Sequence, residues 1–133
     1  MHEFAICARI VDAVLKEYAQ LDPKPNRLIR ARVVVGSMHQ IVPDYLISAF
    51  ELLTRETAVQ GATMELVTVP VTSRCRACDR QGEIKLPIFR CDACGSLDLE
   101  ASGGKELYLD SLEVEWNDEA MERGKVHEGA LNN

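Results

Sequence analysis

Four of the five cysteines occur as two identical pairs. Cys75 and Cys78 form one C-x2-C motif, Cys91 and Cys94 form another, and 12 residues separate the two motifs. Each motif can direct two thiolates towards one point from a tight turn. The segment between them is long enough for a short hairpin that brings the pairs together. Because zinc prefers four such ligands in a tetrahedron, the spacing predicts a zinc site.

A shell of four cysteines leaves no coordination position for water or substrate, so the predicted zinc is structural rather than catalytic. Residues 71–99 are too few to build a hydrophobic core of their own. We therefore expect metal binding to supply folding energy there, on the scale of about 10–16 kcal/mol for a structural zinc. Iron in a rubredoxin-like site is the chemical alternative, because an all-sulfur tetrahedron suits both metals.

The first three residues, Met1-His2-Glu3, form a second group with metal chemistry. The backbone amine of residue 1 and the amide nitrogen and imidazole of residue 2 can form fused chelate rings. Such a planar nitrogen set suits Ni(II) or Cu(II), and Glu3 or a water would complete the plane. The bulk of His2 disfavours removal of Met1. The alternative is an ordinary, frayed chain end.

Three other side chains that could bind metal have simpler interpretations. His39 and His127 fall in a loop and in the last residues of the chain, where a histidine is usually solvated. Cys7 lies among apolar residues with helical spacing, so we expect a small buried hydrophobic group there.

The elements that would position these groups follow from the hydrophobic pattern. Apolar residues three and four apart predict amphipathic helices over residues 3–21 and from Pro43 to about Arg55. Alternation predicts a strand over residues 27–35, and β-forming residues predict strands over 62–69 and 105–116. The predicted fold class is α+β: a small three-stranded sheet with two helices, plus an inserted zinc-ribbon-like module of four cysteines.

This order of elements predicts three regions. Residues 1–70 and 100–116 would form a nickel-binding α+β domain, and residues 71–99 a zinc-binding module. Residues 117–133 would be an acidic, flexible tail, because they have little apolar periodicity.

Charge and composition exclude several classes of protein. Residues 1–105 carry 13 acidic and 13 basic side chains, and residues 106–133 carry 8 acidic and 2 basic. Neither part has the basic excess that nucleic-acid binding needs. No apolar run approaches the roughly 18 residues of a membrane span, and no signal peptide pattern appears. We therefore expect a cytoplasmic protein that binds neither nucleic acid nor membrane. No enzyme motif is present, so we expect no catalysis.

With these residues the sequence resembles the HypA/HybF nickel-delivery proteins of NiFe hydrogenase maturation, over residues 1 to about 116. The opening tripeptide combined with the C-x2-C-x12-C-x2-C spacing is the specific part of the resemblance. Other shared stretches are Val35-Gly36, Val42-Pro43, Ala49-Phe50, Thr57, Gly61-Ala62, Pro70, Gly104-Lys105-Glu106-Leu107 and Ser111-Leu112-Glu113-Val114.

The resemblance implies a nickel metallochaperone with nickel as cargo at His2 and structural zinc on the four paired cysteines. The implied partners are a HypB-type GTPase and the hydrogenase large-subunit precursor, while delivery to urease maturation stays open. Some members carry a histidine directly after a cysteine motif, whereas this chain has Asp79 and Gly95. We therefore expect no pH-driven exchange of cysteine for histidine at zinc. The competing function is a zinc-ribbon module that binds protein or nucleic acid without nickel transfer.

Overall fold

A computed structural model describes the backbone of residues 2–116 and 126–130, and the side chains of residues 3–116. Its chain contacts divide it into two compact units. Unit 1 comprises Met1–Val34, Ile41–Val67 and Leu107–Asn133, and unit 2 comprises Val35–Gln40 and Thr68–Glu106. The elements in chain order are α1 His2–Ala19, β1 Arg27–Gly36, a 3-10 turn Ser37–His39, α2 Pro43–Leu53, β2 Thr63–Val69, β3 Val71–Cys75, β4 Gln81–Ile84, β5 Leu99–Ser102, β6 Leu107–Glu115 and β7 Val126–Ala130.

The two helices of unit 1 begin within one residue of the predicted positions, and each ends two residues before the predicted end. Helix α1 covers His2–Ala19, just before the Asp22-Pro23 and Lys24-Pro25 steps that end helical geometry. Helix α2 begins at Pro43, whose missing N–H costs nothing at the first helical position. Its residues Leu46, Ala49 and Phe50 are buried.

A four-stranded sheet with the order β2-β1-β6-β7 completes unit 1. The helices and the sheet share a core whose largest fully buried side chains include Phe50, Ile10, Leu28, Leu46, Leu109 and Leu112. Three arginines of β1 form ion pairs with carboxylates of β6. The pairs are Arg27–Glu115 at 2.6 Å, Arg30–Glu113, and Arg32–Asp110 at 3.9 Å. Such half-exposed pairs contribute about 0–1 kcal/mol each and mainly favour one strand register.

Unit 2 contains a three-stranded antiparallel sheet with the order β4-β3-β5. Strand β3 pairs with β4 from Val71 opposite Ile84 to Arg74 opposite Gln81. On its other edge it pairs with β5 from Thr72 opposite Ser102 to Cys75 opposite Leu99. The hairpin thus encloses the first cysteine motif, and the strand after the second motif returns to β3. The sequence suggests a short hairpin within the segment between the two cysteine motifs. In the structure, the strand of that segment, β4, pairs with β3 instead.

The α+β class, the two helices, the inserted cysteine module and the three strands predicted for the main sheet are confirmed. The main sheet differs by having a fourth strand. Val126–Ala130 pairs with β6 as β7, with Leu109 opposite Gly129 and Leu112 opposite His127. Strand β7 falls within residues 117–133, for which the sequence predicts a flexible tail, and an edge strand can pair through its backbone without an apolar pattern. The rest of 117–133 lies outside the described residues.

Among the helices that the structure describes, none combines the length and the apolar character needed to cross a membrane.

Candidate metal centres

The four predicted zinc ligands come together in unit 2. The sulfur atoms of Cys75, Cys78, Cys91 and Cys94 all lie within 4.8 Å of one another. Two sulfur pairs, Cys75–Cys94 and Cys78–Cys91, are 3.7 Å apart. In a tetrahedral site with zinc–sulfur bonds of about 2.3 Å, neighbouring sulfurs lie about 3.8 Å apart. The cluster therefore has the dimensions of a four-cysteine zinc site.

The two cysteine motifs fold in the same way. In the first, the N–H of Cys75 donates to the carbonyl of Arg80 at 2.9 Å, and the N–H of Asp79 donates to the carbonyl of Cys75 at 2.7 Å. The second repeats these bonds at the same spacing: Cys91 N–H to Ser96 O at 2.9 Å and Gly95 N–H to Cys91 O at 2.9 Å. Each motif is thus a tight turn that aims its two sulfurs inwards.

The residue after each motif has a left-handed backbone. The φ angle is 67° at Asp79 and 78° at Gly95. Glycine adopts this conformation without strain, and aspartate tolerates it better than most residues. The Asp79 carboxylate also accepts a hydrogen bond from Arg74 at 2.8 Å. Neither Asp79 nor Gly95 belongs to the sulfur cluster.

Backbone N–H groups stabilise the thiolate of the first cysteine in each motif. The N–H groups of Cys94 and Ala93 point at the Cys91 sulfur and lower the pKa of its thiol to about 6. The N–H of Cys78 likewise lowers the pKa of the Cys75 thiol. Thiolates are the form that binds metal, so these turns prepare two of the four ligands.

The second cysteine of each motif behaves differently. The backbone N–H of Arg80 favours the Cys78 thiolate, but burial and hydrogen bonds with the other sulfurs outweigh it and raise the net pKa. At Cys94 the N–H of Ser96 is outweighed in the same way, and the pKa is raised. Zinc must displace these protons, so binding at neutral pH releases protons.

Three arginines around the cluster, Arg74, Arg76 and Arg80, are paired with carboxylates. The exposed ion pairs are Arg74–Asp79 at 2.8 Å, Arg74–Glu100 at 3.1 Å, Arg76–Asp98 at 2.8 Å and Arg80–Asp92 at 2.7 Å. Their positive charge is therefore neutralised locally. A surface that displaces counterions from phosphate needs unpaired cations, so these contacts disfavour nucleic-acid binding by this module.

The predicted nickel residues lie at the start of α1. Met1 and the side chain of His2 are outside the described residues, but the backbone places His2 as the first residue of the helix. The carboxylate of Glu3 is buried, with 7% of the residue exposed, and accepts a hydrogen bond from the N–H of Val42 at 3.1 Å. Sequence reasoning assigned Glu3 to nickel and missed this contact, which joins residues 39 positions apart.

Two of the remaining candidates, His39 and Cys7, make contacts within the protein. His39 Nε2 lies 3.1 Å from the carbonyl oxygen of Lys105. Cys7 is fully buried in the core, and its thiol faces the carbonyl oxygen of Leu46 at 3.7 Å. Burial raises the pKa of the Cys7 thiol to about 11, so it stays protonated as predicted for a small core residue. The side chain of His127 is outside the described residues.

Comparison with known proteins gives a consistent family. The sequence model of a family described as "Hydrogenase/urease nickel incorporation, metallochaperone, hypA" matches residues 1–114. Hydrogenase maturation factor HypA 2 of Bradyrhizobium diazoefficiens is 33% identical over 118 residues, covering 86% of this chain and 100% of that protein. Hydrogenase maturation factor HypA of Nostoc punctiforme is 34% identical over 115 residues, covering 86% and 96%.

Solved structures show the same fold. The solution structure of the Ni metallochaperone HypA from Helicobacter pylori aligns with a TM-score of 0.53 and 24% identity, covering 86% of this chain and 98% of that one. A second structure, described as the solution structure of HypA protein, aligns with a TM-score of 0.54 and 26% identity, covering 86% and 96%. From the family match and the four-cysteine cluster together, the chain belongs to the HypA family of hydrogenase and urease nickel-incorporation metallochaperones.

Proposed function

We propose that this chain binds one Ni(II) ion at its amino terminus and delivers it to a NiFe hydrogenase precursor during maturation. The single observation that carries the proposal is the Met1-His2-Glu3 opening on a helix that begins at His2, in a chain of this family. The donors would be the amine of Met1 and the amide nitrogen and imidazole of His2, and Glu3 is the third residue of the predicted set.

The start of a helix suits this chemistry. The first four N–H groups of an α-helix have no acceptor within the helix, so the amide of His2 can lose its proton to a metal without breaking a helical hydrogen bond. Ligand atoms at a chain end can also be replaced on the metal one at a time by those of a recipient. A carrier must collect the ion and then release it, and stepwise exchange at a terminus allows both.

We propose that the two units divide these roles. Unit 1 would carry the nickel-binding terminus, and unit 2 would hold zinc as a structural ion. The limits of these units differ from those of the predicted domains, which are residues 1–70 with 100–116 for nickel and 71–99 for zinc. The zinc site fits a stabilising role, since four sulfurs fill a tetrahedral shell and leave no place for substrate. Nickel in this scheme is cargo, and the chain is a carrier rather than an enzyme.

The proposed partners are a HypB-type GTPase, which would act with the carrier, and the hydrogenase large-subunit precursor, which would receive the ion. We propose the cytoplasm as the compartment, because a cluster of reduced cysteines is maintained there. The competing function, a zinc-ribbon interaction module without nickel transfer, lacks a basic surface in the described part of unit 2 and is not what the family match describes.

Delivery can be tested in a bacterium that lacks its own member of this family and has both a NiFe hydrogenase and a urease. The untagged chain should restore hydrogenase activity at low external nickel, and the His2→Ala variant should not. Ample external nickel should restore activity without the chain. Restoration by His2→Ala equal to that by the wild type would contradict the proposal, and restoration of urease alone would redirect it to the other enzyme.

A further inference from the structure

Glu3 is a buried ionisable residue at the first turn of α1. Only 7% of it is exposed, and in the described part of the chain the other buried polar residue is Thr54. A carboxylate is almost never this buried unless it is paired. Its position therefore requires partners that compensate the loss of water.

One partner is the start of the second helix. The N–H of Val42 donates to Glu3 Oε2 at 3.1 Å, and Val42 is the residue that caps the amino end of α2. The Val42 side chain has no polar atom, so it cannot cap α2 by accepting a hydrogen bond. The amino end of a helix carries a partial positive charge, so the carboxylate of Glu3 supplies a negative charge there and an acceptor for the N–H of Val42.

The surroundings of the carboxylate are largely apolar. Glu3 lines a groove of about 270 Å³ between the helices, together with Phe4, Tyr45, Ser48, Ala49 and Leu52. Hydrogen bonds are electrostatically stronger in such a low-dielectric environment, and breaking them costs more. Rotation of this carboxylate out to a metal ion would leave the Val42 N–H without the acceptor that it has in the structure.

The same carboxylate also acts on α1. A helix that begins at His2 directs its positive end towards residues 1 and 2, where it would repel a divalent cation. A negative charge in the first turn offsets that repulsion. Glu3 thus contributes in two ways that do not require a bond to nickel.

We propose that Glu3 is a positioning residue rather than a nickel ligand. Its carboxylate holds the first turn of α1 against the start of α2, and so orients the nitrogen donors of residues 1 and 2. The inference rests on the proposed nickel site at the amino terminus. It assigns the third residue of the Met1-His2-Glu3 sequence a role distinct from that of the first two.

Three variants of the untagged, zinc-loaded full chain test this role: Glu3→Gln, Glu3→Ala and Asp12→Asn. Glutamine keeps an oxygen acceptor for Val42 but binds metal poorly, and alanine removes the acceptor. Asp12 is an exposed carboxylate on the same helix, paired with Lys16 at 3.2 Å, so its variant is a matched control for the loss of one negative charge. The measurements are titration calorimetry with Ni(II) and the visible absorption band of the nickel complex.

We expect Glu3→Gln to lose only the interaction of the negative charge with the end of α1, and so to bind nickel about threefold more weakly than the wild type, with an unchanged absorption band. Glu3→Ala should bind on the order of tenfold more weakly, the scale of one lost charge-assisted hydrogen bond, again with an unchanged band. Its Val42 amide should exchange with solvent faster, measured by NMR without nickel. Asp12→Asn should behave as the wild type.

A shifted nickel band in Glu3→Gln, or a loss of affinity equal to that in Glu3→Ala, would make the carboxylate a ligand and overturn the proposal. Wild-type affinity in Glu3→Ala would overturn it too, while leaving nickel binding itself intact. Absence of nickel uptake by the wild-type chain would overturn both this inference and the proposed function. Zinc content and melting temperature check folding. Should Glu3→Ala fail to fold, the band of Glu3→Gln decides.

Discussion

The backbones of Gly36 and Gly104 meet so closely that a Cβ atom on Gly36 would overlap the carbonyl carbon and oxygen of Gly104. The N–H of Gly36 donates to the carbonyl of Glu106 at 2.7 Å, and the N–H of Met38 donates to that of Gly104 at 2.8 Å. This contact joins the two parts of unit 2 that are distant in sequence. A side chain at Gly36 therefore has no room in this structure.

We expect Gly36→Ala to destabilise unit 2, because the clash is with main-chain atoms that cannot rotate away. Overpacking of this kind costs about 1–3 kcal/mol or more, which urea unfolding of the zinc-loaded protein would measure. Gly82→Ala is the matched control, since the nearest atom to its Cβ is a side-chain nitrogen of Arg80 at 3.9 Å. Equal stability of the two variants would contradict the close approach.

Removal of zinc should unfold unit 2 and leave unit 1 folded. In the described residues the buried apolar side chains of unit 2 are Val35, Val71, Cys75, Ile84 and Cys91, and two of these belong to the sulfur cluster. Such a small core cannot hold the three strands together without the metal. Hydrogen exchange after chelation should therefore accelerate at β3, β4 and β5, with α1, α2 and β1 still protected at their centres.

Serine in place of Cys78 should have a similar but smaller effect, since three sulfurs remain. Protection of β3–β5 that survives complete zinc removal would show that the unit has enough packing energy of its own. Iron in place of zinc would give a coloured protein with the same exchange pattern, so metal analysis accompanies the experiment.

Stability should fall at alkaline pH because of Cys7. Burial raises the pKa of its thiol from 9.0 to about 11, so the unfolded chain ionises before the folded one does. The contribution of the protonated Cys7 thiol to the free energy of unfolding is fully present below pH 9 and is lost as the pH rises towards 11. The loss is at most about 2.7 kcal/mol for two pKa units. Urea unfolding at pH 8, 9, 10 and 11 measures this slope.

Cys7→Ala should flatten part of that slope, although it lowers stability at pH 8 by leaving a small cavity. Burial also raises the pKa of Tyr18, so Tyr18→Phe should flatten the remainder above pH 10. A slope unchanged in both variants would place the alkaline effect elsewhere.

Nickel affinity should fall steeply in acid. The reference pKa values are about 6.5 for imidazole and about 7.7–8.0 for the terminal amine, and the amide of His2 must lose a proton as well. Protons compete with the metal, so one proton is released per nickel above about pH 8 and three below about pH 6. Calorimetry in buffers of different ionisation enthalpy counts these protons, and a constant count across this range would contradict the proposed donors.

The sequence predicts those parts of the fold that depend on local pattern. The helical spacing of Leu46, Ala49 and Phe50 and the alternation in β1 are read directly from one segment at a time. The cysteine spacing predicts the four-cysteine cluster for the same reason, because each motif forms its own turn. Strand β7 has no apolar alternation, and its pairing with β6 is a backbone property that side-chain patterns do not report.

The contact between Glu3 and Val42 shows the other limit. The two residues are 39 positions apart, and nothing in the type of either residue identifies the other as its partner. From sequence, a carboxylate beside a histidine favours a metal ligand. Only the packing of α1 on α2 reveals that this carboxylate accepts a hydrogen bond from Val42, the residue before α2.

The most direct test of nickel binding at the chain start is nickel and zinc analysis of three forms of the protein. These are the untagged wild type, the His2→Ala variant and a form with extra residues fused ahead of Met1. After nickel loading and desalting, we expect one nickel and one zinc per wild-type chain, and zinc without nickel in the other two forms. Full nickel occupancy in either altered form would place the nickel site elsewhere and contradict the account.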